Sequence, residues 1–150
     1  MKLLYFPGCK LERHLPAYDL ATRAVLGQLS IALVEQEMNC CGYPVRHQSF
    51  TAFLLSAARN LAIAESMGVD LLTPCKCCFG SFRHALFWLG QKPGVCADIN
   101  RHLAREGLKW EGRSEVIHLL SLLHHRVGND ALKAGVRVPL AGVRVAAHYG

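Results

Sequence analysis

The sequence predicts an α/β fold: a mainly parallel sheet flanked by helices, with a cysteine cluster at the carboxyl ends of the strands. Three observations carry this. Short apolar runs alternate with stretches of helical period along the chain. Pro or Gly punctuates the run ends. Cysteines follow the first three runs, at Cys9, at Cys40-Cys41 and at Cys75. In an open α/β sheet, ligands bind outside the carboxyl ends of the strands.

The elements follow in order. Lys2–Phe6 is a buried strand closed by Pro7-Gly8. Residues 17–29 carry Leu20, Ala21, Ala24, Val25 and Leu29 near helical spacing, with Pro16 suited to the first turn. Ile31–Val34 is the second strand, leading towards Cys40-Cys41-Gly42. A long helix runs from Ser49 to about Met67, with Phe53, Leu54, Ala57, Ala58 and Leu61 on its apolar face. Ser49 or Thr51 caps it and Gly68 ends it. Val69–Thr73 is the third strand, stopped by Pro74. Helices are expected over 79–89, 97–107 and 119–126, and short strands over 115–118 and 143–147, the last leading into His148-Tyr149-Gly150.

Composition narrows the function. A length of 150 residues favours one domain with its own core. Apolar residues make up 51% and charged ones 19%, which excludes a disordered chain. No apolar run reaches the roughly 18 residues of a membrane span. The first residues lack the apolar core and small-residue cleavage site of a signal peptide. A soluble cytoplasmic chain is the expectation. The net charge is +6, but the arginines are scattered, with no dense run or aromatic-interleaved stripe. A solvated positive surface explains that better than nucleic-acid binding does.

Seven cysteines, an odd number, point to metal or redox chemistry and away from a disulfide framework. Adjacent Cys40 and Cys41 are badly placed to pair with each other. They face a shared third object. The pattern is Cys9, 30 residues, Cys40-Cys41-Gly42, 32 residues, then Cys75-x-x-Cys78. Five thiols exceed the four of a closed zinc site and of an ordinary cubane cluster. Soft thiolates in that number select iron–sulfur chemistry, or zinc with a spare ligand. Gly42 permits the sharp turn that folds both side chains onto one centre. Cys78, near a helix start, is expected to be a thiolate. Lys10, Arg46 and Lys76 neighbour the group and offset its negative charge.

The C-x30-C-C-G-x32-C-x-x-C pattern resembles the CCG, or cysteine-rich, domain of the B-type subunits of heterodisulfide reductases. F-P-G-C, A-T-R-A-V-L, A-A-R-N-L-A-I-A-E and A-H-Y-G resemble the amino-terminal half of those subunits. The resemblance spans nearly the whole chain. It implies that Cys9, Cys40, Cys41, Cys75 and Cys78 ligate a noncubane [4Fe-4S] cluster that helps reduce a disulfide substrate. It implies partner subunits carrying iron–sulfur clusters or flavin. It also implies that residues 1–150 are the first half of a longer protein with two such motifs. This half alone is then expected to be inactive, and open to dimerisation through the surface its other half would cover. Cys77 departs from the family, where glycine is common at that place.

Rival readings stand beside this one. Zinc held by four of the thiols would make the domain a structural or docking module. A thioredoxin-like exchanger using Cys75 and Cys78 would leave Cys9 and Cys40 dispensable. Cys96 reads as a core residue. Cys77 either points away or serves as a spare ligand. His124-His125 reads as solvated, while His14 and His47 fall near the cysteine groups and are candidates for a supporting or substrate-facing role. Phe79, Phe82, Phe87 and Trp88 read as core.

Overall fold

The computed structural model describes residues 1–146. Apolar runs with turn residues at both ends give four short strands: β1 (Lys2–Tyr5), β2 (Ala32–Val34), β3 (Asp70–Thr73) and β4 (Val116–His118). They pair in the order β2-β1-β3-β4, and every pairing is parallel. Leu4 sits opposite Val34 on one side and Leu71 on the other. The α/β fold with a parallel sheet is therefore as the sequence predicts.

Period-two alternation splits the core between two faces. Leu4, Leu71 and Val116 face one cluster, with Phe53, Leu54, Ala57, Leu61, Phe82 and Ile99. Those residues come from α3 (Phe50–Ser66), α4 (Lys76–Gln91) and α5 (Pro93–Leu103). Leu3, Tyr5, Leu72 and Ile117 face the other, with Leu26, Leu119 and Leu122. Leu26 belongs to α2 (Pro16–Gln28), and Leu119 opens α6 (Leu119–Ser121), which continues as a π-helical stretch over Leu122–Val127. Helices thus cover both faces of the sheet, as parallel sheets require.

Local chemistry sets the helix ends. Pro16 occupies the first turn of α2. The Ser49 side chain accepts a hydrogen bond from Ala52 N at 3.2 Å and caps α3. Gly68 takes φ 65° and releases the chain towards β3. Buried Glu65 then accepts from Glu111 N at 2.6 Å and Arg113 N at 2.7 Å, which fixes the loop before β4.

Several boundaries differ from expectation. α4 begins three residues before the expected 79, since Cys75 is its N-cap residue and Phe79 N donates to Cys75 O at 2.9 Å. α5 covers 93–103, not 97–107, because Pro93 is a good first-turn residue. Two helices escape the sequence reading: α1 (Cys9–His14) and α7 (Asn129–Gly135). Residues 143–146 form no strand, although the sequence predicts one over 143–147. Val143 and Val145 are exposed, so their alternation meets no sheet edge that would pair it. Residues 147–150, including His148-Tyr149-Gly150, lie outside the described residues.

Candidate metal centre

Three loops leave the carboxyl ends of β1, β2 and β3, which are neighbours in the sheet. Each carries cysteine. The β1 loop is Phe6-Pro7-Gly8-Cys9, and Cys9 opens α1. Gly8 takes φ 82°, and a Cβ there would lie 2.9 Å from Cys78 Sγ and 3.3 Å from Cys75 Cβ. The first loop therefore presses directly on the sulfurs of the third, and only glycine fits between them.

The β2 loop has no regular structure until Cys40-Cys41-Gly42, so it must be pinned. α3 pins it. Asn39 N donates to Asn60 Oδ1 at 3.2 Å, and Asn60 Nδ2 donates back to Asn39 O at 2.9 Å. Ser56 Oγ donates to Cys40 O at 2.6 Å. Asn60 is fully buried, so losing these bonds would strand its amide. Gly42 takes φ 83°, and a Cβ there would meet Phe53 O at 2.8 Å. The turn expected at Gly42 is present, for that reason as well as for its φ.

The β3 loop delivers Cys75 and Cys78 across the N-terminus of α4. The Cys75 N–H donates to Thr73 Oγ1 at 3.2 Å. Cys41 and Cys78 are buried, Cys75 is half-buried, and Cys9 and Cys40 are exposed. The Cys78 thiol donates towards both Cys41 and Cys75. That bond is the main cause lowering Cys41 and Cys75 to about 6 from an ordinary 9.0. Cys78 itself is pushed far up, by those two hydrogen bonds first and by burial second. The thiolate expected at Cys78 is thus corrected to a protonated thiol. Its place on the helix matters less than being one donor between two acceptors. Burial raises Cys40 most, and the charges of Cys41 and Cys9 add to it, which links the exposed thiols to the buried ones. Among the described residues, no three His, Cys, Asp or Glu side chains are arranged round a single metal ion. The thiols meet one another instead.

The remaining candidates separate from this group. Cys96 packs beside the core, as expected, and accepts from Asn100 Nδ2 at 3.5 Å. Cys77 is exposed and lines a cleft with Arg46, His47, Lys76 and His84. His14 is exposed at the end of α1. Phe82 is buried, and packs edge-on to Phe6 at 5.0 Å between centroids. Phe87 is 59% exposed and so is not the core residue its spacing suggested. Sequence reasoning missed Ser81, whose buried hydroxyl has no hydrogen-bond partner of ordinary geometry yet lies near Cys41 and favours its thiolate. It also missed Asn39, Ser56 and Asn60. Polar residues on the apolar face of α3 were the available signal, because buried amides need a partner.

Residues 3–83 match the family model described as a cysteine-rich domain, CCG. The chain belongs to the CCG cysteine-rich domain family. It is 34% identical over 152 residues to the B-type subunit of the ferredoxin/F(420)H(2)-dependent CoB-CoM heterodisulfide reductase of Methanosarcina acetivorans, covering 99% of this chain and 50% of that one. It is 35% identical over 148 residues to the 8-methylmenaquinol:fumarate reductase membrane anchor subunit of Wolinella succinogenes, covering 97% of this chain and 51% of that one. The chain spans about half the length of the curated relatives it matches. A crystal structure of a hypothetical protein from Helicobacter pylori superposes with a TM-score of 0.76 at 20% identity, over 83% of this chain and 25% of that one. That likeness concerns the fold alone. Among the described residues of this CCG domain, no helix is long and apolar enough to cross a membrane.

Proposed function

We propose that this CCG domain is the iron–sulfur-binding part of an oxidoreductase subunit of the heterodisulfide reductase B type, with Cys9, Cys40, Cys41, Cys75 and Cys78 as ligands of a noncubane [4Fe-4S] cluster. One observation supports it above the rest: three adjacent strand tips bring five thiols to one edge of the sheet, three of them close enough to share protons. The donor set fits the group. Five soft sulfurs suit a polynuclear iron centre better than one zinc ion, which closes with four. Glycine at position 8 keeps a side chain off those sulfurs, since a Cβ there would lie 2.9 Å from Cys78 Sγ.

The chain's own residues prepare the site. Cys41 and Cys75 stand as thiolates at neutral pH, and Cys78 must release its proton on ligation. The bound cluster would supply single electrons and a soft iron for sulfur to approach. Reduction of the substrate then balances as one disulfide, two electrons and two protons giving two thiols. The electrons would come from partner subunits that carry iron–sulfur clusters or flavin. Relatives named as heterodisulfide and menaquinol:fumarate reductase subunits support an oxidoreductase role.

Anaerobic reconstitution, with iron and sulfide analysis and EPR, tests the reading. About four irons and four sulfides per chain, with a brown colour, is expected. A colourless chain holding stoichiometric zinc, or no iron after reconstitution, overturns it. Serine at Cys9 or Cys40 should reduce iron content, whereas a thioredoxin-like exchanger would tolerate both changes.

A further inference from the structure

Three strands of the sheet lead into cysteine loops, and the fourth ends in a histidine. His118 is the last residue of β4 and stands opposite Thr73 of β3 in the parallel register. The carboxyl tip of β4 therefore lies beside the loop that carries Cys75. The cysteine pattern makes no use of this residue.

The His118 ring is held from several sides. Its Nδ1 accepts from Leu120 N at 3.3 Å and caps α6. The ring also hydrogen-bonds the backbone of Pro74. Proline has no N–H, so the Pro74 carbonyl accepts and the ring donates. With Nδ1 already accepting, the donor is Nε2, and the ring is the neutral tautomer with its proton there. Burial favours that neutral form, since it draws the ring below its ordinary 6.5, and the Pro74 bond opposes it. The ring packs edge-on to Phe79, with centroids 5.5 Å apart and planes at 68°.

The two neighbours bracket a pair of thiols. Pro74 is buried and immediately precedes Cys75. Phe79 immediately follows Cys78, and its N–H donates to Cys75 O at 2.9 Å. One imidazole thus touches the chain on either side of Cys75-x-x-Cys78. Both ring nitrogens are engaged in doing so, which leaves no lone pair for a metal ion.

We propose that His118 is a positioning residue: it fixes the Cys75–Cys78 segment by holding the Pro74 carbonyl and the Phe79 ring, and it is tied in turn to α6 through Leu120. That the sulfurs so held bind a cluster rests on the function proposed above; the latch itself does not.

Two substitutions divide the ring's two bonds. His118→Asn keeps an oxygen that can cap Leu120 N but is too short to reach Pro74. His118→Gln extends an amide N–H to where Nε2 lies and gives up the cap. Amide hydrogen exchange of the reduced metal-free chain, read by peptide mass spectrometry, reports on the loop. In His118→Asn, exchange over residues 75–79 should quicken roughly tenfold, the factor that one ordinary hydrogen bond commands, with α3 unchanged. His118→Gln should restore most of that protection. A merely structural role would quicken α3 as much as residues 75–79, and that result overturns the proposal. So does equal exchange over 75–79 in the two variants. After anaerobic reconstitution, His118→Asn should lose iron to a chelator about tenfold sooner than the unaltered chain, and His118→Gln should not. Equal retention by all three chains cuts the latch off from the cluster. If no chain takes up iron, the proposed function falls and the exchange result still judges the latch. If neither variant folds, the unaltered chain decides. Long-range proton–nitrogen NMR correlation near neutral pH should find the His118 proton on Nε2, and a proton on Nδ1 overturns the proposal.

Discussion

Cys78 is the residue on which the thiol group turns. It holds a proton between Cys41 and Cys75, and so lets both be thiolates at about 6. In the reduced metal-free chain, ultraviolet thiolate absorbance should therefore rise in a step near pH 6. Cys78→Ala should move that step up towards the ordinary 9.0, because the main cause of the lowering is gone. The consequences for stability have opposite signs. Cys41 and Cys75 contribute stability in full above pH 9, less as pH falls, and none once it passes below about 6. Cys78, with its pKa raised, contributes below pH 9 and loses that contribution as pH rises further. Urea midpoints of the metal-free chain across this range should rise from pH 6 and then level or turn over. None of this was legible from Cys75-x-x-Cys78 alone. Spacing locates a sulfur, but its proton depends on which sulfurs arrive from elsewhere. Gly42 was legible as a turn, since glycine after two cysteines needs little else to explain it. Its closeness to Phe53 was not. Gly42→Ala should cost roughly 2 to 3 kcal/mol in chemical denaturation, from left-handed strain and the clash at Phe53 O together.

At the scale of elements, α3 does two jobs. Its apolar face fills the core, and Asn60 and Ser56 hold the β2 loop that carries Cys40 and Cys41. The two jobs can be separated. Ser49→Ala should remove about 1 kcal/mol by losing the cap, with metal content unchanged. Asn60→Ala should remove roughly 1 to 3 kcal/mol and also lower iron content, because it frees the loop. Thermal melts beside iron analysis would tell them apart. The strands β1, β2 and β3 and the helix α3 were readable because each is an apolar run with a turn residue or cap at its end. α1 and α7 were not, being short and carrying little apolar periodicity. Residues 143–146 show the converse error. Alternation is a licence to pair, and a strand forms only where an edge accepts it.

For the whole molecule, the sheet order decides what the cysteines can do. β1 lies between β2 and β3, so Cys9 enters between the other two cysteine loops. The core beneath is correspondingly intolerant. Phe82→Ala should cost about 3 to 5 kcal/mol. Val145→Ser, at a site 84% exposed, should change stability by less than about 0.5 kcal/mol. Equilibrium denaturation of the two variants checks the contrast. The central place of β1 also sets a birth order. The first strand made gains its second neighbour only when β3 follows, and its cysteine emerges from the ribosome long before residue 78 exists. Until Leu72 has paired with Tyr5, the cysteine loops after β1 and β3 do not meet. On the function proposed here, loading of the site waits until Cys78 has emerged, and the nascent Cys9 has to stay reduced until then.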